Sequence, residues 1–163
     1  MAQLSGKTVA ILATDGFEQT ELTVPRDRLR AAGATVHVVS PEEGLIRGWN
    51  HTDWGDTVRV DRPLDAVSAA DYDALVLPGG QINPDLLRVD EDALGFIRAF
   101  QEAHKPIGAI CHAPWLLIET GLARGLEATS YHSIRADMIN AGAHWRDAPV
   151  VVGDGIVTSR HPG

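Results

Sequence analysis

The segment Pro106-Ile107-Gly108-Ala109-Ile110-Cys111-His112-Ala113-Pro114 does more than any other to define this chain. Apolar and small residues run up to Ile110 as they do in a parallel strand covered on both faces. Cys111 and His112 follow at once, and Pro114 stands where the first turn of a helix tolerates proline. A strand that ends on a nucleophile and passes directly into a helix reads as an elbow that projects one side chain above a sheet. The neighbouring sequence repeats the alternation. Residues 7–13, 35–40, 74–77, 106–110, 150–152 and 156–159 read as strands. Residues 21–32, 91–104, 112–120 and 133–141 read as helices, with Asp90 as an N-cap and Gly33, Gly121 and Gly142 as stops. Strands alternating with helices predict a doubly wound α/β sandwich with a mostly parallel sheet. Residues 43–63 break the pattern and predict a β-hairpin excursion on the edge of the sheet. No repeat or linker divides the chain, so residues 1–163 are expected to form a single domain.

Composition narrows the functional classes. The 163 residues carry 22 acidic and 14 basic side chains, a formal charge of −8, and no basic stripe. This argues against a nucleic-acid partner. The apolar runs fall far short of the roughly 18 residues that suggest a membrane span, and no signal peptide is evident. The single cysteine cannot form an internal disulfide, a CxxC redox pair or a cysteine-rich zinc site, which points to a reducing cytoplasm. No metal-ligand spacing links the histidines, and neither a metal nor a cofactor is expected.

In an open parallel sheet the crevice lies at the carboxyl ends of the strands. Three post-strand motifs would converge there: Asp15-Gly16-Phe17-Glu18, Pro78-Gly79-Gly80 and Cys111-His112. At a helix amino terminus Cys111 would feel a positive field that lowers a thiol pKa, although a lone cysteine can equally be a small buried hydrophobe. Gly79 and Gly80 serve either as a tight turn or as backbone donors of an oxyanion hole. Glu18 is either a surface carboxylate or the thiol's hydrogen-bond partner.

Asp15-Gly16-Phe17-Glu18-Gln19-Thr20-Glu21-Leu22, Leu77-Pro78-Gly79-Gly80, Ala109-Ile110-Cys111-His112-Ala113-Pro114 and Val157-Thr158-Ser159-Arg160-His161-Pro162-Gly163 resemble the PfpI (intracellular protease I) family of the ThiJ/PfpI superfamily. Tyr131, residues 46–55 and Asn140-Ala141-Gly142-Ala143 fit the same pattern. The resemblance implies a flavodoxin-like three-layer sandwich of the class I glutamine-amidotransferase type, with Cys111 as nucleophile, Glu18 hydrogen-bonded to it and His112 paired with it. It further implies backbone donors at Gly79 and Gly80, Tyr131 near the pocket, and Asp85 reaching a partner subunit's site. Ala113 departs from the glycine many members carry. A terminal helix that members usually have after Arg-His-Pro-Gly is expected to be missing here.

No His-x-Glu pair follows Cys111, which argues against a glutaminase. The expected function is a stress-associated, cysteine-dependent hydrolase acting on dicarbonyls, glycated protein adducts or peptides. The competing expectation is a redox-sensing stress protein or chaperone with an oxidisable Cys111. A homo-oligomer, at least a dimer, is expected, with Trp49 and Trp54 as packing or interface residues.

Overall fold

A computed structural model describes residues 3–163. In chain order the elements are β1 (Thr8–Leu12), α1 (Gln19–Ala31), β2 (Thr35–Ser40), β3 (Leu45–Asn50), β4 (Asp53–Arg59), β5 (Arg62–Pro63), β6 (Ala74–Leu77), α2 (Ile82–Leu87) and α3 (Glu91–Glu102). They continue with β7 (Ile107–Ile110), α4 (Pro114–Glu119), β8 (Glu127–Ala128), α5 (Arg135–Asn140), β9 (His144–Trp145), β10 (Val150–Gly153) and β11 (Ile156–Ser159). Seven strands form one sheet in the order β10-β11-β7-β6-β1-β2-β5, parallel except for the edge strand β10. With the two edge strands set aside, the order β2-β1-β6-β7-β11 has the flavodoxin-like form.

β1 shows how the sequence makes three layers. Val9, Ile11 and Ala13 pack on one face with Phe17, Leu22, Val36 and Val38. Ala10 and Leu12 pack on the other with Leu75, Leu77, Ile97 and Phe100. Strand side chains alternate between faces, so a run that is apolar at every position must be covered twice. On the second face α3 presents Ala93, Phe96, Ile97 and Phe100 as the predicted apolar stripe, and Asp90 caps it by accepting from the Asp92 and Ala93 N–H groups. Phe96 and Phe100 meet edge to face at 5.0 Å between centroids.

The structure revises several expected boundaries. α1 begins two residues early and takes Pro25 into its interior, where the missing N–H leaves the Glu21 carbonyl without its helical donor. The helix expected over 133–141 starts as a 3-10 turn at His132–Ile134 before α5, and that expected over 112–120 is the short α4. Only the end of the excursion joins the main sheet, where β5 pairs with β2 at the edge; β3 and β4 form a separate antiparallel ribbon. The ribbon docks on the loop after β1, where Gly16 N–H donates to Arg47 O at 2.8 Å and Trp49 N–H to Phe17 O at 2.7 Å. It thereby stands over the carboxyl end of the sheet. Buried Asn83 holds the neighbouring loops together: its Oδ1 accepts from Thr14 N–H and its Nδ2 donates to Pro78 O.

Replacing fully buried Phe100 with alanine should cost about 3–5 kcal/mol in urea unfolding. A loss below about 1 kcal/mol would contradict this account of the core.

Candidate active site

Cys111 directly follows β7 with φ at 64°, a left-handed conformation costly for any residue but glycine. Two backbone bonds hold it there. Its N–H donates to Ser159 O at 2.8 Å, and its carbonyl accepts from Tyr131 N–H at 2.8 Å. This backbone brings the consecutive side chains of Cys111 and His112 together, where an extended strand would send them to opposite sides. Sγ lies 3.1 Å from His112 Nδ1. The far ring nitrogen, Nε2, meets Ser133 Oγ at 3.2 Å. Tyr131 stacks on the imidazole at 4.9 Å between centroids.

The carboxyl beside the thiol belongs to Glu21, not to the expected Glu18. Glu18 is the extended residue preceding α1, and its carboxylate accepts from His51 N–H at 3.3 Å across the pocket mouth. Glu21, one helical turn on and buried, lies beside the Cys111 side chain and accepts from Gly79 N–H at 2.8 Å. The expected pair of backbone donors is revised by the same contact. Gly79 N–H is committed to Glu21, and the amides facing Sγ are those of Gly80 and His112. Gly79 is required for close approach instead. A Cβ there would stand 2.6 Å from Ile110 O and 2.9 Å from Cys111 Cβ.

Burial dominates the electrostatics. It pushes the Glu21 carboxyl up to about 8, against the opposing Gly79 N–H and with help from the Glu18 charge. Burial, followed by the charge of Glu21, also pushes the Cys111 thiol up, although the Gly80 and His112 amides favour the thiolate. The lowering expected at a helix terminus is replaced by a rise, of which burial is the largest cause. His112 is held below its ordinary range by burial and then by His132. At neutral pH the resting site holds a thiol, a mostly protonated Glu21 carboxyl and a neutral imidazole.

These groups floor a cleft of ≈ 670 Å³ lined also by Glu18, Trp49, His51, Gly80, Tyr131 and His161. Trp49 and His51 arrive on the ribbon and His161 on the segment after β11, so neither histidine was legible as a site residue from spacing. Glu21 did carry a signal, since it lies in the first turn of α1 within the same Asp15–Leu22 motif as Glu18. Asp85 is exposed on α2 and outside the cleft of its own chain. Among the described residues no cluster of three His, Cys, Asp or Glu side chains is placed to hold a metal ion. Nor, among them, is any helix long and apolar enough to cross a membrane.

A doubly wound sandwich with a cysteine elbow of this geometry defines a class that comparison with known proteins makes specific. Residues 7–163 match the family described as the DJ-1/PfpI family. YraA of Bacillus subtilis, provisionally named a cysteine protease, is 46% identical over 156 residues, covering 96% of this chain and 90% of that protein. Deglycase TK1284 of Thermococcus kodakarensis is 44% identical over 155 residues, covering 95% and 90%. Among solved structures, Drosophila melanogaster DJ-1beta superposes with a TM-score of 0.87 at 29% identity, covering 96% of this chain and 83% of that one. The chain belongs to the DJ-1/PfpI family.

Raising the folded-state pKa of Glu21 to about 8 from 4.5 means that its contribution to stability is complete below about 4.5 and is lost as pH rises toward 8. The wild type should therefore lose more thermal stability between about pH 5 and pH 8 than a Glu21→Gln variant, which has no such carboxyl to ionise. Parallel Tm profiles would contradict the buried, protonated Glu21.

Proposed function

We propose that this chain is a cysteine-dependent enzyme acting on reactive carbonyls: dicarbonyls and the early adducts they form on proteins. The observation that carries the reading is the seating of Cys111 Sγ at the floor of the cleft 3.1 Å from a base, His112 Nδ1, with the amides of Gly80 and His112 beside it. Attack of Sγ on an aldehyde carbon forms a C–S bond and moves the thiol proton to Nδ1. The carbonyl oxygen becomes an alkoxide, the charge that such amides stabilise. Protonated Glu21 is the acid within reach. Because the resting sulfur is a thiol, the nearby base is part of the mechanism. The deglycase name of TK1284 and similar relatives supports the same substrate class.

Peptide hydrolysis, suggested by the name of YraA, ranks below it. A buried nucleophile under the ribbon suits a small electrophile better than an extended chain. Peroxide sensing by Cys111 has less support, since thiols held protonated and covered react slowly with oxidants.

Assembly into a homo-oligomer belongs to this reading, in a reducing compartment suited to one free cysteine. Exposed Trp54, Leu86 and Val89 offer apolar contact surface, and Asp85 stands beside the last two on α2 and the turn that follows. Light scattering should report a particle at least twice the monomer mass. A monomer would remove Asp85 from any partner's site.

The wild type should consume methylglyoxal and restore free thiol from methylglyoxal-treated cysteine peptides. Cys111→Ser should lose at least about a hundredfold in rate. Equal rates in the two proteins would overturn the proposal, and peptide cleavage without carbonyl turnover would favour the peptidase reading.

A further inference from the structure

Nothing in the proposed reaction assigns a role to the hydroxyl that faces the far side of His112. We infer that Ser133 is a positioning residue: its Oγ fixes the tautomer of His112 and supports the imidazolium formed when Cys111 gives up its proton. The inference rests on the reading of Cys111 as nucleophile.

His112 is buried, with its two ring nitrogens facing different partners, Nδ1 toward Sγ at 3.1 Å and Nε2 toward Ser133 Oγ at 3.2 Å. A neutral imidazole carries one proton, and the hydrogen bond made by one nitrogen decides what the other can do. With the proton on Nε2 and donated to Ser133 Oγ, the Nδ1 lone pair faces the thiol and can receive its proton. With the proton on Nδ1, the ring offers the thiol only a donor and has no basic nitrogen toward it. When the S–H proton crosses to Nδ1, both ring nitrogens carry hydrogens. Nδ1–H then donates to the thiolate and Nε2–H to Ser133. One hydroxyl thus satisfies the ring before and after proton transfer.

Within one chain the surrounding groups leave this task to Ser133. Tyr131 stacks on the ring and Trp115 meets it edge-on at 5.2 Å. Trp115 itself donates to Asp137 and lies against Arg88, so those charges face the indole. His132 disfavours a second positive charge, Glu21 lies beyond the sulfur, and His51 and His161 line the cleft. The turn carrying Ser133 is registered to the elbow by the backbone bond from Tyr131 N–H to Cys111 O, so hydroxyl and nucleophile share one framework.

The test uses the chain's single cysteine. Iodoacetamide alkylation followed by intact mass, measured against pH, reads the thiolate at Cys111 alone and needs no carbonyl substrate. Ser133→Ala should alkylate roughly three- to tenfold more slowly near neutral pH, as expected for loss of one solvent-accessible hydrogen bond. The slowing should persist across the folded pH range and vanish in the unfolded protein, whose thiolate forms without the relay. Ser133→Thr, which keeps the hydroxyl, should recover the wild-type profile, and both variants should keep the wild-type Tm because Ser133 is exposed. A wild-type alkylation profile in Ser133→Ala, or a Ser133→Thr profile matching that of Ser133→Ala, would overturn the inference. A slowed Ser133→Ala in a protein without dicarbonyl turnover would leave the relay standing and refute the proposed function instead.

Discussion

The left-handed backbone of Cys111 is the constraint on which the site depends. Cys111 could relax toward an ordinary strand conformation, but its N–H is tied to β11 and its carbonyl to the segment carrying Tyr131 and Ser133. Those bonds put the nucleophile, its imidazole and the stacking tyrosine into one rigid unit. Parallel pairing of β7 with β6 and β11 supplies the framework. The Asn83 bonds bring the loops after β1 and β6 to the same end of the sheet. The strain at Cys111, on the order of 1–3 kcal/mol, is offset by the apolar layers beneath it.

From that geometry follows a site governed by proton location. Glu21 and Cys111 are close and buried, so simultaneous negative charge on both is disfavoured. The proton that Glu21 retains at neutral pH makes it a donor to sulfur or to a developing alkoxide. His112, kept neutral by its surroundings, completes the set as an acceptor. A preformed exposed thiolate would react with any oxidant or alkylator. A thiol activated by a positioned base reacts best with an electrophile that fits the cleft.

Much of this is legible in the sequence. Apolar strands alternating with helices predicted the layers, and the turn from Ile110 into Cys111-His112 marked the elbow, because local pattern and backbone chemistry are both written in short segments. What escaped the reading depended on side-chain direction across the fold. Glu18 and Glu21 lie three residues apart, and only the entry angle of α1 decides that the second reaches the thiol while the first meets His51. A Gly-Gly pair does not reveal which amide is already engaged, so sequence leaves Gly79 open between a tight turn and an oxyanion donor. His51, His161 and Ser133 enter from a ribbon, a terminal segment and a 3-10 turn, none of which has periodicity to fix its approach. The acidic thiol expected at a helix terminus is countered by burial of the sulfur and by the neighbouring Glu21, neither of which local sequence reveals.

The central claim is that Cys111 attacks a carbonyl carbon within the cleft. Carbon NMR of enzyme in excess over carbonyl-labelled methylglyoxal tests it directly, because a hemithioacetal carbon resonates far from free aldehyde and its hydrate. A new tetrahedral resonance that is present with the wild type and absent with Cys111→Ser is the predicted result. Identical spectra from the two proteins would contradict the account.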